Sequence, residues 1–327
     1  MTEATRPVLP DSIQVIERGW LSSNNVLLFE GESATLVDAG YVGHAPQTVA
    51  LVKSALAGWR SHNPGRQGPA RRNSSGLGRI INTHSHSDHI GGNAALQAEF
   101  GCRIVIPAGI ERMVAEWDTE ALLLDQAKHQ GERFAHDAVI EAGSEFEMGG
   151  LVWQALAAPG HDMEALIYHC AERRILISGD ALWQDGFGII FGEIMGAADA
   201  LPATRRTLET IARLGVDVVI PGHGAAFADF DGALARAFRR LDSFEADPTR
   251  VGRNAVRACF TFNLLDLQRL REDELPAYLK SVPFFHRVNQ RMLGFSDDDF
   301  ASWLLGELLR SRSIELRDGW IYPTIAP

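Results

Sequence analysis

The chain is poor in cysteine, short of basic charge and without long apolar runs. Its three cysteines, Cys102, Cys170 and Cys259, are an odd number at wide spacing, which matches neither a zinc ribbon nor a disulfide framework and predicts buried thiols. No apolar run reaches the roughly 18 residues that cross a bilayer, so no membrane partner is expected. The 31 Lys and Arg against 42 Asp and Glu give a net charge of −11, which disfavours nucleic acid as a partner.

A secretory signal is also missing from the start of the sequence. The opening residues, MTEATRPVLPDSIQ, lack a basic region, an apolar region and a small-residue cleavage site, so we expect a cytoplasmic protein. The 327 residues are 46% hydrophobic and 22% charged, a composition typical of globular proteins with a large core.

Short apolar runs alternate with helical periodicity over the first two thirds of the chain. Strands are predicted at 25–29, 34–37, 79–81, 103–106, 151–156, 165–170, 175–178 and 216–220. Helices are predicted at 45–59, 90–100, 111–130 and 201–214, and a surface loop rich in glycine, proline and serine at 60–78. Strands that alternate with helices favour an α/β layered architecture.

From about residue 229 the sequence is almost continuously helical. Helices are predicted at 233–245, 251–271, 275–279 and 297–309, followed by a hairpin at 313–322 with its turn at Asp318-Gly319. We therefore predict two units, residues 1–228 and residues 229–327.

The most informative stretch is His84-Ser85-His86-Ser87-Asp88-His89, which follows the predicted strand 79–81. Imidazole nitrogen and carboxylate oxygen suit zinc, iron or manganese. His84 and His86 would share one side of an extended segment, whereas Asp88 and His89 enter the following helix and point elsewhere. The spacing therefore favours two adjacent metal ions.

Three later residues complete a set of metal donors. His161, Asp180 and His223 each follow an apolar strand and a glycine. Strand ends converge at one rim of a sheet, and glycine lets the backbone turn so that the next side chain faces that rim. Taken together with the HxHxDH stretch, these residues predict a metal site.

At this point the sequence resembles the metallo-β-lactamase superfamily. The resemblance covers about residues 13–226 and also includes the strand-end aspartate in Leu36-Val37-Asp38-Ala39-Gly40. It implies a four-layer αββα sandwich with a metal pocket at one edge, here followed by a mainly helical C-terminal extension. In this family Asp38 is not a ligand, and it would support the HxHxDH loop from outside the ligand shell.

The resemblance further implies two divalent metal ions and their ligands. His84, His86 and His161 would bind the first ion, Asp88, His89 and His223 the second, and Asp180 would bridge them. Zinc is the default metal, and the same donors also suit iron or manganese.

Two adjacent metals would make hydrolysis the reaction. They would lower the pKa of a shared water, so that a bridging hydroxide is available near neutral pH, and would polarise the carbonyl or phosphoryl group under attack. Asp88 would orient the hydroxide and Asp180 would bind both metals, so these are the predicted catalytic residues. A mononuclear iron site for sulfur dioxygenation is less favoured, because Asp88, His89 and His223 are all present.

The residue at position 180 and its surroundings restrict the substrate. True β-lactamases of this superfamily have cysteine or serine there, so Asp180 favours the glyoxalase, lactonase and nuclease branches. The segment 179–191 resembles a loop of glyoxalase II, but Ile189 replaces a basic residue of that family and Gly224-Ala225 replaces a Glu-Tyr pair. Trp183 lies where homoserine-lactone lactonases carry a tyrosine.

The loop 182–191 is apolar and aromatic. It fits a packed core segment and an apolar acyl pocket equally well. The second interpretation predicts a small-molecule substrate, an ester or thioester with an apolar acyl portion. An acyl-CoA would also give Arg60, Arg66, Arg71 and Arg72 a partner.

Two other functions stay open. Helix 297–309 and hairpin 313–322 weakly resemble the winged-helix appendage of a β-lactamase-like branch that includes an endoribonuclease, in which the metals would attack an RNA phosphodiester. The net charge of −11 argues against RNA, although a local basic groove escapes a global count. A metal-bearing fold recruited only to bind partners is disfavoured, because only metal binding needs all seven positions.

Overall fold

A six-stranded sheet forms the first half of the molecule. The computed structural model describes residues 7–63, 76–196 and 199–325. The strands lie side by side in chain order: β1 (Ile13–Ile16), β2 (Asn25–Glu30), β3 (Ser33–Val37), β4 (Leu77–Ile81), β5 (Arg103–Pro107) and β6 (Ala138–Ile140). β1 to β3 pair antiparallel and β3 to β6 parallel, because helical crossovers connect the parallel strands.

A five-stranded sheet forms the second half, in the order β11-β10-β9-β8-β7. Its strands are β7 (Glu145–Met148), β8 (Leu151–Ala157), β9 (Leu166–Cys170), β10 (Ile175–Gly179) and β11 (Val218–Pro221). All neighbours pair antiparallel except β10 and β11. Those two are parallel because a crossover containing α6 (Phe191–Met195) and α7 (Ala200–Ala212) connects them.

The two sheets pack face to face through a shared apolar core. Val26, Leu28 and Val37 of the first sheet belong to the same buried cluster as Trp153 and Tyr168 of the second. Burying a side chain of this size contributes roughly 1.5–3 kcal/mol relative to leaving it exposed. This interior therefore fixes how the strand ends of one sheet face those of the other.

Helices cover both outer faces. On the first sheet lie α1 (Ala45–His62), α2 (Ser87–Ile90), α3 (Asn93–Phe100), α4 (Glu111–Glu116) and α5 (Leu124–Ala127). On the second sheet α7 and α8 (Phe230–Ala246) bury Leu208, Ile211, Leu234 and Leu241 against Val219. The predicted four-layer αββα sandwich is confirmed.

The C-terminal extension is mainly helical, as predicted. It contains α9 (Thr249–Leu267), α10 (Leu275–Ser281), α11 (Pro283–Val288) and α12 (Asp297–Arg310), with a small sheet in the order β12 (Leu270–Arg271), β14 (Trp320–Pro323), β13 (Ile314–Arg317). Asp318 and Gly319 both have positive φ, 50° and 75°, as a two-residue hairpin turn requires. The unit boundary at residue 228 stays a prediction; α8, which follows it, packs on the sandwich.

Several sequence-based boundaries were wrong. The helix predicted at 90–100 begins only at Asn93, as α3, and Ile90 is the last residue of the separate short helix α2. The helix predicted at 251–271 ends at Leu267, where Gln268 adopts a positive φ of 66°. The short strands β6 and β7 and helix α11 were missed, because three to six residues give too little periodicity to recognise.

The loop predicted at 60–78 is only partly within the described residues. α1 continues through Arg60 to His62, and β4 already begins at Leu77. The helix extends further than predicted because the first helix-breaking residues, Pro64 and Gly65, come only after it. Arg66, Arg71 and Arg72 lie outside the described residues.

All three cysteines are buried and unpaired. The prediction of buried thiols without a disulfide framework is thus confirmed. Burial also raises the pKa of the Cys102 thiol to about 11, so this thiol is protonated and unreactive near neutral pH.

Gly92 marks the closest approach between two loops that lead to the carboxyl edge of the first sheet. Its N–H donates to Gly40 O at 3.0 Å, and a Cβ at this position would lie 2.2 Å from Ala39 O. Gly58 in α1 is the opposite case, because a Cβ there meets nothing within 4 Å.

We expect Gly92→Ala to destabilise the protein by about 1–3 kcal/mol, because the backbone of Ala39 cannot yield to a methyl group. Gly58→Ala should be neutral or stabilise by up to about 1 kcal/mol, because alanine is the better helix former. Urea unfolding of both variants measures the difference. Equal stability of the two variants would contradict the tight approach at Gly92.

Candidate metal centre

All seven predicted metal donors lie at one edge of the sandwich. The HxHxDH stretch follows β4, His161 follows β8, Asp180 follows β10 and His223 follows β11. Each strand delivers its side chain at its carboxyl end, where a sheet offers backbone turns and no further strand pairing.

The donors form two groups, within each of which the candidate ligand atoms lie within 4.8 Å of one another. The first donor group is His84, His86 and His161; the second donor group is Asp88, His89, Asp180 and His223. Ligand binding by these residues stays a prediction, but their convergence is a property of the fold.

Asp180 lies between the two groups. Its Oδ2 is 3.3 Å from His161 Nε2 in the first donor group, and its Oδ1 is 3.5 Å from His89 Nε2 in the second. A carboxylate with one oxygen toward each group is suited to contact two ions at once. His223 Nε2 lies 2.9 Å from Asp88 Oδ2, which closes the second donor group.

Buried nitrogen atoms without partners test whether a metal fits here. Within the described part of the chain, His84 Nε2, His89 Nε2 and His223 Nδ1 have no hydrogen-bond partner. An unsatisfied buried polar atom costs about 1–3 kcal/mol. In His84 and His89 the other ring nitrogen does have a partner, Thr83 Oγ1 at 2.9 Å and Asp38 Oδ2 at 2.8 Å. A histidine with one ring nitrogen hydrogen-bonded and the other without a partner is typical of a metal ligand. The donor set therefore fits a divalent ion.

Burial and neighbouring charges set the protonation states. Burial, together with the surrounding imidazoles, lowers the pKa of His84 well below its usual value and that of His86 to about 3. Both rings are therefore neutral, the form that binds metal. Burial would likewise lower the pKa of His89, but the carboxylates of Asp38, Asp88 and Asp180 outweigh it and hold that pKa well above its usual value.

The two carboxylates of the second donor group stay ionised. Burial would raise the pKa of Asp88 and of Asp180, but His89 and His223 hold both well below the usual range. Ionised carboxylates are the form that binds a divalent ion, and the proton held on His89 would have to leave before that ring binds one.

Asp38 holds the HxHxDH loop in place. Its Oδ1 accepts the backbone N–H of Thr83 at 2.8 Å, and its Oδ2 accepts the Thr83 hydroxyl and His89 Nδ1–H, each at 2.8 Å. Asp38 itself has a positive φ of 60°, and Asn25 Nδ2 donates to its carbonyl at 2.9 Å. These contacts match the supporting role that the family resemblance implied.

A second supporting aspartate was missed from the sequence. Asp162 Oδ2 accepts the backbone N–H of Ser85 at 3.1 Å and the Ser85 hydroxyl at 2.7 Å, which ties the loop after β8 to the loop after β4. His161 Nδ1–H donates to Ile189 O at 2.5 Å, which orients that ring from its outer side. Only the position of Asp162 next to His161 could have indicated its role.

Two tryptophans flank the second donor group. Trp20 stacks on the His223 ring at 5.4 Å between centroids and 10° between planes, and Trp183 meets both rings edge to face. Trp183 Nε1–H also donates to Asp180 Oδ1 at 3.2 Å. Trp183 thus orients the carboxylate that lies between the two groups.

A cavity of about 420 Å³ opens above the donors. From the loop 182–191, Trp183, Phe187, Ile189 and Phe191 line it, whereas Leu182 and Ile190 are buried in the core beneath. Phe187 and Phe191 also belong to buried core clusters, so these two residues fit both interpretations of the loop. The other lining residues include Leu122, Leu123, Phe262, Leu265, Arg240, Asn254, Arg257, Ser311 and Ser313.

Within the described ranges, no helix is long and apolar enough to cross a membrane.

Comparisons with known proteins bear on fold and family. A family model described as the metallo-beta-lactamase superfamily matches residues 18–223. The hydroxyacylglutathione hydrolase of Rhodopseudomonas palustris (strain HaA2) is 31% identical over 112 residues, 34% of this chain and 36% of the relative. The chain thus spans about a third of the length of the curated relatives it matches.

Solved structures share the fold. A metallo-beta-lactamase with an HARLDQ motif from Cronobacter sakazakii superposes with a TM-score of 0.55 and 18% identity, covering 73% of this chain and 96% of that one. A metallo-beta-lactamase family protein from Thermus thermophilus superposes with a TM-score of 0.54 and 19% identity, covering 97% of this chain and all of that one.

We expect Asp38→Asn to weaken metal binding by about 10- to 100-fold, because an amide cannot accept all the hydrogen bonds that hold Thr83 and His89. Competition with a chelator measures the affinity. Asp137→Asn is the matched control, since Asp137 also caps a backbone amide, that of Ile104 at 2.8 Å, outside the donor groups. An Asp38→Asn protein with wild-type metal affinity would contradict the supporting role.

Proposed function

The chain belongs to the metallo-β-lactamase superfamily, and we propose that it is a dinuclear metal-dependent hydrolase of an ester or thioester with an apolar acyl portion. The observation that carries this proposal is the position of Asp180, with one carboxylate oxygen toward each donor group. Around it, imidazoles and one further carboxylate complete two compact sets of donors.

We assign His84, His86 and His161 to the first ion, Asp88, His89 and His223 to the second, and Asp180 to both. Zinc suits these nitrogen and oxygen donors, and iron or manganese are alternatives. Two bound ions would supply Lewis acidity, which would lower the pKa of a bound water molecule and withdraw electron density from the scissile carbonyl.

The chain's own residues position the reacting groups. Asp88 directs Oδ2 toward His223, at 2.9 Å, and toward His89, at 3.6 Å. We assign its other oxygen, Oδ1, to accept a hydrogen bond from the attacking water and so to orient it. The ionised state of Asp88 supports this role, because a carboxylate accepts hydrogen bonds through both of its oxygen atoms.

The walls of the cavity support an apolar acyl group. The lining includes Phe187, Ile189, Phe191, Leu122 and Phe262, among which a hydrocarbon portion of the substrate would displace water. Aromatic walls of this kind also exclude bulk water from the carbonyl, which strengthens the electrostatic contacts at the centre.

Similarity to hydroxyacylglutathione hydrolases over 112 residues supports thioester chemistry, but not glutathione as the carrier. Ile189 turns an apolar side chain into the cavity where glyoxalase II carries a basic residue, and Gly224-Ala225 offers no polar side chain. A coenzyme A thioester stays a prediction: Arg60 is exposed on α1 and is not part of the described cavity wall.

We expect His86→Ala and Asp180→Ala to lower kcat for an aryl ester by about a thousandfold or more, because metal assistance supplies several kcal/mol to the transition state. The readout is release of 4-nitrophenol at saturating metal, with circular dichroism to show that each variant folds. His136→Ala is the matched control, since His136 lies outside both donor groups, near Glu111. Wild-type turnover in either ligand variant would refute the mechanism.

The alternative function is that of an endoribonuclease. The dependence on salt concentration distinguishes it from the proposed ester or thioester hydrolase. We expect ester hydrolysis to change little between about 50 and about 200 mM salt, because a neutral ester releases no counterions on binding. RNA binding across several phosphates would weaken by about a thousandfold or more over the same range. RNA cleavage without ester or thioester turnover would replace the proposed function with the nuclease.

A further inference from the structure

One end of the cavity is built by the C-terminal extension and is basic. α8 contributes Arg240, α9 contributes Asn254 and Arg257, and the chain after α12 contributes Ser311 and Ser313. Polar side chains from three separate elements thus face a cavity whose other walls are mostly apolar.

Arg240 is a partly buried cation without a counter-ion. Its guanidinium lies over the rings of Phe187 and Phe244, 5.0 and 5.5 Å from their centroids, and Nη2 donates to Asn254 Oδ1 at 2.9 Å. Among the described residues no carboxylate forms an ion pair with it. The aromatic rings attract the cation but leave its positive charge unneutralised, so an anion in the cavity would gain a charge-assisted hydrogen bond.

The contrast with Arg236, one turn earlier on α8, shows that pairing is available nearby. Arg236 forms ion pairs with Asp229 at 2.9 Å and Asp185 at 3.2 Å. Arg240 lines the cavity instead. The arginine without an ion pair is therefore the one on the cavity side of α8.

A second arginine adds to the positive charge at this end. Arg257 Nη1 lies 3.2 Å from Glu307 Oε2, but Glu307 also pairs with Arg310. Arg257 and Arg310 thus share one carboxylate, and the charge of Arg240 adds to this excess of guanidinium groups. Burial and the nearby Arg257 lower the pKa of Arg240 to about 10, so it remains charged near neutral pH.

The basic end lies within reach of the metal centre. Gly186 packs against the guanidinium, since a Cβ there would be 2.7 Å from Arg240 Nη1, and Gly188 packs against the His161 ring, since a Cβ there would be 2.5 Å from Nδ1. Two residues of extended chain span about 7 Å. A short acyl chain can therefore extend from the centre to Arg240.

We propose that Arg240, assisted by Asn254 and Arg257, binds an oxyanion at the far end of the substrate, so that the acyl portion is an apolar chain that ends in a carboxylate or a phosphate. The planar fork of a guanidinium matches both groups. This inference rests on the proposed function for the reaction, but the oxyanion site itself is tested by binding alone.

The first test measures binding by isothermal titration calorimetry with the full chain as purified. The probes are 4-phenylbutyrate, 3-phenylpropyl phosphate and the neutral 4-phenylbutyramide. We expect the anions to bind about 10- to 100-fold more tightly than the amide, and Arg240→Met to remove that preference. Methionine keeps an unbranched stem against Phe187 and Phe244. The tighter of the two anions identifies the end group.

Matched variants keep the binding test decisive. Arg236→Met removes a neighbouring guanidinium of α8 that already has partners, and it should keep the wild-type preference. If Arg240→Met does not fold by circular dichroism, Arg257→Gln takes its place. Equal affinity of the wild type for the anions and the amide would overturn the proposal. An anion preference that persists in both Arg240→Met and Arg257→Gln would also overturn it, because the anion would then bind elsewhere.

The second test compares two esters of equal chain length, 4-nitrophenyl valerate and mono(4-nitrophenyl) glutarate. We expect the wild type to prefer the glutarate in kcat/KM and Arg240→Met to lower the glutarate-to-valerate ratio by about 10-fold or more. Hydrolysis of both esters without preference would overturn the oxyanion site and leave the hydrolase. Arg240-dependent anion binding without hydrolysis of any ester would keep the oxyanion site and reject the hydrolase.

Discussion

The crowding of seven predicted metal donors at one sheet edge, six of them buried and Asp88 half-buried, is the constraint on which the rest of the structure depends. Five imidazoles and two carboxylates occupy a space of a few ångströms, and several of their nitrogen atoms have no hydrogen-bond partner among the described residues. Without an ion these unsatisfied groups cost folding free energy. The architecture therefore has to hold them together from outside, and most of the polar contacts near the site do this.

Support for the donors comes from residues outside the two donor groups. Asp38 and Asp162 fix the HxHxDH loop from opposite sides, through Thr83 and Ser85. Gly222, directly after β11, lets the chain pass close to the Asp180 carboxylate, since a Cβ there would lie 2.2 Å from Asp180 Oδ1. The core between the sheets in turn fixes the strands from which these loops emerge. The positions of the donor side chains therefore depend on the packing of the whole sandwich.

The donors could be predicted from the sequence because their signal is local. A strand, a glycine and a histidine or aspartate recur at His161, Asp180 and His223, and four donors lie within six residues of the HxHxDH stretch. Trp20 and Arg240 could not be predicted in this way. Each reaches the cavity from a distant part of the chain and has no neighbouring motif, so only the folded structure shows that Trp20 stacks on His223 and that Arg240 faces the cavity without a partner. Short elements such as β6 and β7 were missed for a related reason, since their pairing is decided by long-range contacts.

The central claim, a dinuclear centre built by these seven residues, is tested most directly by the metal content of the purified chain and of its His84→Ala and His223→Ala variants. Elemental analysis of protein purified without added metal should give two equivalents of divalent metal per chain in the wild type. Loss of metal in both variants is expected, because each removes a ligand from a different ion. A wild-type content of one equivalent or less after incubation with zinc, iron or manganese and desalting, or a content unchanged in both variants, would contradict the account.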